Sequence, residues 1–230
     1  MALKSIKEVQ TALIAAGYDI GPNGADGDFG RDTIAGLKAF QRAKGLQGLG
    51  IIGPKTIALL FPGEKEHIEA VPPWYSSLLA KRGMHEKLNN KQLRDYLSSD
   101  GQTLGDPSKL PWCGDAVQTA IALTLPDEVV PSNPYWAQNW AKFGVALDEP
   151  ALGAVLAFVR PGGGHVGFYA GEDATRYYVL GGNQRNSVSI APVARKQCIG
   201  IRWPRTVPVP RGGRIRLSSA ADALSSMGMG

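Results

Sequence analysis

Cys113 follows Pro111-Trp112 and is trailed by Ala116, Val117, Ala120 and Ile121, so it heads the apolar stripe of a helix expected from Trp112 to Leu125. A thiol placed there feels the positive end of the peptide dipoles, which lowers its pKa and favours the nucleophilic thiolate. The free N–H groups of the same first turn are donors for an oxyanion. Position alone assigns no chemistry, because a cysteine on an apolar face usually packs as inert core. His165 is the only histidine after Cys113, and it opens the alternating run His165-Val166-Gly167-Phe168-Tyr169-Ala170-Gly171 just after a turn at Gly162 to Gly164. In a two-residue period His165, Gly167 and Tyr169 share one face, and the glycine leaves room beside the imidazole. A hairpin with a five-residue loop at Glu172 to Arg176 sets residue 183 opposite residue 165. Asn183 then accepts the ring N–H and fixes the tautomer whose other nitrogen faces the thiol. A one-residue slip would turn Asn183 to the opposite face.

The segments around these residues set the expected architecture. Apolar residues at Leu78, Leu79, Leu88, Leu93 and Leu97 indicate one or two helices before Cys113, with a loop from Ser98 to Asp106. Beyond Leu152 the pattern changes to alternation over Ala154 to Arg160, His165 to Gly171 and Arg176 to Leu180. Ser187 to Ile190 and Ile199 to Trp203, which includes the neighbour of Cys198, complete a small antiparallel sheet. Helices first and strands after define an α+β fold class. Pro62 to Pro73 is charged and bracketed by prolines, as a stiff linker is. The divisions are therefore 1–61, a linker at 62–73, a second domain at 74–204 and a tail at 205–230.

With 230 residues, 43% of them hydrophobic and 20% charged, the chain can bury a real core, and wholesale disorder is excluded. The net charge of +5 sits at the two ends: residues 62–204 carry 14 basic and 14 acidic side chains, so no basic face for nucleic acid is indicated. The tail, with Arg205, Arg211, Arg214 and Arg216 against Asp222, reads as a mobile basic arm able to touch an anionic envelope. No apolar run approaches the roughly 20 residues of a membrane span. The first 20 residues lack a signal-peptide pattern, so the chain is expected to be made in the cytoplasm and, if it acts outside, to be released by another agent.

Within the first sixty residues, Ser5 and Glu8 have capping-box spacing, and Ile6, Val9, Leu13 and Ala16 recur at helical intervals until Gly17. A second helix carries Ile34, Leu37 and Phe40, and Pro54 opens a third with Ile57 and Leu60. A shift of 23 residues superposes Gly27, Gly30, Thr33, Ile34, Ala35 and Leu37 on Gly50, Gly53, Thr56, Ile57, Ala58 and Leu60, the mark of duplicated loop-helix units. Val9-Gln10, Leu13, Gly17-Tyr18, Asp26-Gly27-Asp28-Phe29-Gly30, Thr33, Phe40-Gln41, Gly45-Leu46, Gly53 and Thr56 together resemble the type 1 peptidoglycan-binding domain. That resemblance implies a three-helix module whose partner is bacterial peptidoglycan, with Asp26, Asp28 and Phe29 as candidate contacts. Turn chemistry for the aspartates and core packing for Phe29 are the competing readings.

A second resemblance covers about 74–204. Pro111-Trp112-Cys113, Trp140 with Gly144, Leu152-Gly153-Ala154-Val155, Gly164-His165-Val166-Gly167-Phe168-Tyr169, Leu180-Gly181-Gly182-Asn183-Gln184 and Arg202-Trp203-Pro204 are similar to the CHAP-type cysteine amidohydrolases and peptidases. It implies a papain-like α+β domain with Cys113 as nucleophile, His165 as general base and Asn183 as third member, acting as an amidase or endopeptidase on the wall, in a modular arrangement like that of a phage endolysin. Trp136, Trp140 and Gln184 are the candidate substrate-binding residues of this domain, with core packing as the alternative for the tryptophans. Two departures stand out: Gly181 occupies a position where many relatives carry a carboxylate, and Asp115 follows the cysteine where an apolar residue is more usual. Histidine orientation is thereby assigned to Asn183.

No cofactor or metal is expected, since His67 falls in the linker and His85 is isolated, leaving His165 without zinc-ligand companions. A lysozyme-type glycosidase, for which Glu172 or Asp148 would be the carboxyl acid, and a non-catalytic wall-binding protein are the rival classes. A monomer is expected.

Overall fold

The computed structural model describes residues 3–63, 69–210 and 213–217. Its first unit is three helices, α1 (Ile6–Ala15), α2 (Arg31–Ala43) and α3 (Pro54–Leu60). The Ser5 and Glu8 side chains form the capping box that starts α1. Ile6, Val9, Leu13, Ile20, Phe29, Leu37, Phe40 and Ile57 make the core. The internal repeat has a physical basis in two buried glutamines. Gln10 of α1 donates to Asp26 Oδ1, the Asp28 carbonyl and Thr33 Oγ1, and accepts from the Gly27 N–H. Gln41 of α2 does the same one unit later, donating to the Ile51 carbonyl and Thr56 Oγ1 and accepting from the Gly50 N–H. Each glutamine thus pins the loop that enters the next helix, and losing one would strand buried backbone groups at about 1–3 kcal/mol apiece.

A short strand β1 (Leu3–Lys4) pairs in parallel with β2 (Glu69–Ala70), so the end of the linker runs back beside the start of the chain. The second unit begins with α4 (Pro73–Leu79), α5 (Asn90–Leu97) and α6 (Cys113–Thr124), followed by a 3-10 helix at Ala137–Lys142. The strands are β3 (Val145–Ala146), β4 (Val155–Arg160), β5 (Gly163–Glu172), β6 (Arg176–Gln184), β7 (Ser187–Ala194) and β8 (Cys198–Trp203). They form one six-stranded sheet in the order β3-β8-β4-β5-β6-β7, with every pairing antiparallel. Helices before strands, with α6 laid on β5 and β6, make the molecule α+β. Trp74, Trp112 and Trp140 are fully buried in the core between helices and sheet.

The stretch after Pro204 departs from the expected mobile arm. Arg205 and Thr206 donate their N–H groups to the Glu128 carboxylate, and Val207 is buried. Residues 213–217 lie along the end of β5, where the Glu172 N–H donates to the Ile215 carbonyl and the Leu217 N–H donates to the Glu172 carbonyl. Gly171 leaves the notch that Leu217 fills. Arg216 and Arg214 reach the buried Glu172 carboxylate at 3.1 and 3.8 Å, with Arg195 at 3.6 Å. An ion cluster of this kind holds the segment, because a carboxylate removed from water must be paired. Residues 211–212 and 218–230, the rest of the expected basic arm, lie outside the described residues.

Candidate active site

Cys113 is the first residue of α6 and is 5% exposed. Two glycines let the helix sit where it does. A Cβ on Gly182 of β6 would collide with the Trp112 ring and stand 2.8 Å from Ala116 Cβ, and a Cβ on Gly114 would collide with the Pro134 carbonyl. Trp112 is anchored from the other side by its indole N–H, which donates to Glu86 at 3.1 Å. Helix and sheet therefore meet at backbone distance, and the Cys113 thiol comes within reach of the Val166 N–H next to His165.

Burial pushes the Cys113 thiol above its usual value, against the N–H groups of Val166, Gly114 and Cys113 itself and the positive field of Arg160. The expectation of a depressed thiol pKa is corrected here: a helix N-terminus favours the thiolate, but desolvation of a sealed sulfur outweighs it. His165 stands opposite Phe158 across β4 and β5, and the two rings lie nearly parallel with centroids 6.3 Å apart. Burial first, then the Arg160 charge, push the imidazole down to about 4, while the Gln184 side chain pulls the other way. At neutral pH the thiol at the head of α6 and the imidazole on β5 are therefore both neutral. A neutral thiol and imidazole brought into contact can react by handing the thiol proton to the ring as sulfur attacks.

The amide beside the imidazole belongs to Gln184, and no hydrogen bond joins Asn183 to His165. The pairing Phe168↔Leu180 is the one that sets residue 183 opposite residue 165. Between Gly181 and Gln184, however, the β6–β7 ladder shifts register, and Asn183 takes a left-handed conformation with φ 56. One inserted residue reverses the alternation, so Gln184 comes back to the face that Gly181 occupies. Gly181 has no side chain there: a Cβ would lie 3.3 Å from both His165 Nε2 and Gln184 Nε2. His165 Nε2 is sealed from solvent with no partner in normal hydrogen-bond geometry. The Gln184 contact in this resting arrangement is therefore looser than a full hydrogen bond.

Asp115, two residues into α6, is fully buried. Its Oδ2 accepts from Thr103 Oγ1 and the Leu104 N–H at 3.0 Å each, tying the 98–106 loop to the helix, while Oδ1 has no partner. Burial raises its pKa to about 6, against those two donors, and Asp100 adds to the rise.

The remaining candidates separate by exposure. Trp140 is 0% exposed and donates its indole N–H to the Pro134 carbonyl, so it supports the loop from inside and cannot touch a ligand. Trp136 is 54% exposed. It lies between Pro134 and Tyr135, which pack on Gly114, and Ala137 and Gln138, which pack on Gly164, so its strip of chain runs from beside the cysteine to beside the histidine. In the first unit Phe29 is 2% exposed and belongs to the core, and Asp26 is occupied by Gln10 and the Asp28 N–H. Asp28 is exposed at the rim of a cavity of about 1040 Å³ between α2, α5 and the end of α6, which Arg31, Lys38 and Asp95 also line. Cys198 is half-buried on β8, and its thiol donates to the Gly200 carbonyl. Glu172, a candidate glycosidase acid, is locked in the arginine cluster. Among the described residues no group of three or more His, Cys, Asp or Glu side chains could hold a metal ion.

Comparison with known proteins bears on the first unit. Residues 3–60 match the putative peptidoglycan binding domain. A probable N-acetylmuramoyl-L-alanine amidase of Bacillus licheniformis is 36% identical over 64 residues, 28% of this chain and 18% of the relative. N-acetylmuramoyl-L-alanine amidase CwlL of the same organism is 41% identical over 51 residues, 22% of this chain and 14% of the relative. The chain spans less than a fifth of either curated relative. No solved structure matches. The matched domain ends before α4, so Cys113 and His165 stand on their geometry and on the residue motifs around them.

Proposed function

We propose that this protein is a cell-wall hydrolase that binds peptidoglycan through residues 3–60 and cleaves an amide bond of it with the Cys113 thiol. The observation that carries the reading is the buried thiol at the head of α6, beside the Val166 N–H and a histidine whose Nε2 is turned toward Gly181 and Gln184. Nδ1 is then the nitrogen left to take the thiol proton. Sulfur attacks the amide carbon, and N–H groups at the start of α6 stabilise the tetrahedral oxyanion. The protonated imidazole delivers its proton to the leaving amine, forming the thioester and releasing the amine half. Water, with its proton taken by His165, then hydrolyses the thioester and restores the thiol.

The solvent-facing Trp136 offers an apolar wall beside the reacting atoms, suited to a sugar ring or the lactyl-alanine arm. Holding the wall with the first unit raises the local concentration of substrate at the second. The stretch shared with the amidase relatives is less than a fifth of either, so it supports action on the wall, and the bond cut is read from the fragments.

The test is mass spectrometry of purified peptidoglycan after treatment with the wild type and with Cys113→Ala. New fragments from the wild type alone, with the variant still bound to the wall, support the thiol mechanism, and fragment masses separate amidase from endopeptidase. Equal cleavage by the variant would remove it and favour a carboxylate glycosidase; binding without cleavage by either protein would leave a wall-binding protein.

A further inference from the structure

The Gln184 side chain is more constrained than a substrate contact would be. Its Nε2 donates toward three backbone carbonyls, Val179 at 3.1 Å, Gly181 at 3.1 Å and Ser189 at 2.5 Å. An amide nitrogen has two hydrogens and no lone pair to offer, so three carbonyl neighbours fix which end of the amide is nitrogen. Oε1, which can only accept, is left for whatever the amide meets on its other side. Across the space above Gly181 stands His165 Nε2, buried and without a partner in normal hydrogen-bond geometry, and the Gln184 side chain acts on that imidazole. An acceptor facing Nε2 selects the tautomer with its proton on Nε2 and its lone pair on Nδ1. The empty space above Gly181 is what allows a residue three positions further on to arrive at this spot.

We propose that Gln184, rather than Asn183, is the positioning residue for His165: its backbone-clamped amide holds the proton on Nε2 and aims Nδ1 at the Cys113 sulfur. This rests on the cysteine mechanism proposed above. Asn183 has a different task, since its left-handed φ supplies the register shift that delivers Gln184. The other groups acting on the imidazole are few. Arg160 acts on it from the end of β4; Tyr169 of β5 and Tyr177 of β6 share its face, Tyr177 touching the Phe158 ring that stacks on the imidazole, whereas Asp115 is turned to Thr103 and Leu104.

Two measurements need no substrate. The first is the long-range nitrogen–proton correlation spectrum of the wild-type imidazoles, three in the whole chain. His165 is expected as the Nε2–H tautomer near neutral pH, and an Nδ1–H tautomer would overturn the proposal. The second is the rate of Cys113 carbamidomethylation by iodoacetamide against pH, read at the Cys113 peptide, for wild type, Gln184→Glu, Gln184→Leu and Asn183→Gly, each verified as folded by near-UV circular dichroism. A carboxylate against Nε2 stabilises imidazolium, so Gln184→Glu should move the acid limb up by about one pH unit or more. Gln184→Leu should slow the plateau by at least about tenfold through loss of the tautomer. Asn183→Gly keeps the left-handed turn and should change either quantity less than about threefold. A Gln184→Glu profile that superposes on the wild type refutes the role of Gln184 while leaving the thiol–imidazole pair intact. A wild-type profile with no acid limb removes the pair itself, and the proposal with it.

Discussion

Substituting His165→Gln tests the burial argument at its root. The native imidazole is held near 4, against an ordinary value of 6.5. Between those values the unfolded chain binds a proton that the native chain refuses, so native stability falls as pH drops through 6.5 toward 4 and is fully present above 6.5. The difference corresponds to about 3 kcal/mol in full, and about 2–3 kcal/mol by pH 4.5. Asp115 acts with the opposite sign, because its raised pKa of about 6 means that the native state takes up a proton first as pH falls. That contribution is common to both proteins and cancels in their difference. Urea unfolding followed by tryptophan fluorescence isolates the relevant unit, since all five tryptophans lie after Pro73. Between pH 8 and pH 4.5 the wild type should lose about 2–3 kcal/mol more than His165→Gln. Equal losses in the two proteins would mean that His165 protonates freely in the folded state, and the neutral thiol–imidazole pair would have to be abandoned.

Asp115→Asn retains an acceptor for Thr103 and Leu104 and removes a buried charge, so it should raise the urea midpoint at pH 8. The gain should fade as pH falls through 6 toward 4, where the wild-type carboxyl becomes neutral. Gly182→Ala should cost about 1–3 kcal/mol of stability through overpacking against Trp112 and Ala116, and it should slow Cys113 alkylation as α6 backs away from β5.

Much of the scaffold is legible in residue order. The capping box at Ser5 and Glu8, the glycine-led duplicate units and the alternating runs after Leu152 all became the elements they indicated, because each depends on near neighbours. The register that faces residue 183 toward residue 165 is present at Phe168↔Leu180, but not through the expected five-residue loop: Gly171 pairs with Tyr178 rather than Tyr177, and a bulge between Tyr169 and Gly171 makes up the difference. What the strand pattern could not carry was the single left-handed residue at 183, which reverses the alternation and exchanges one amide for the next. A signal existed, since asparagine after two glycines and before Arg185-Asn186 is prone to positive φ. Dipole reasoning failed at Cys113 for a different cause: it judged the helix terminus by itself, whereas the sheet that seals the sulfur is assembled from residues far along the chain. Docking of 213–217 was hidden for the same reason, since its partner Glu172 reads locally as part of a hairpin turn.

The twin glutamine clamps give the first unit a direction. Gln10 secures the loop ahead of α2 and Gln41 the loop ahead of α3, so each entry loop is pinned by the helix upstream of it. An array built on that rule can be extended only from its last helix, and α3, at seven residues, ends before the position that corresponds to Gln41. The series of clamps thus stops after two turns, and α3 closes the unit by packing back on α1 instead of presenting a glutamine to a further loop.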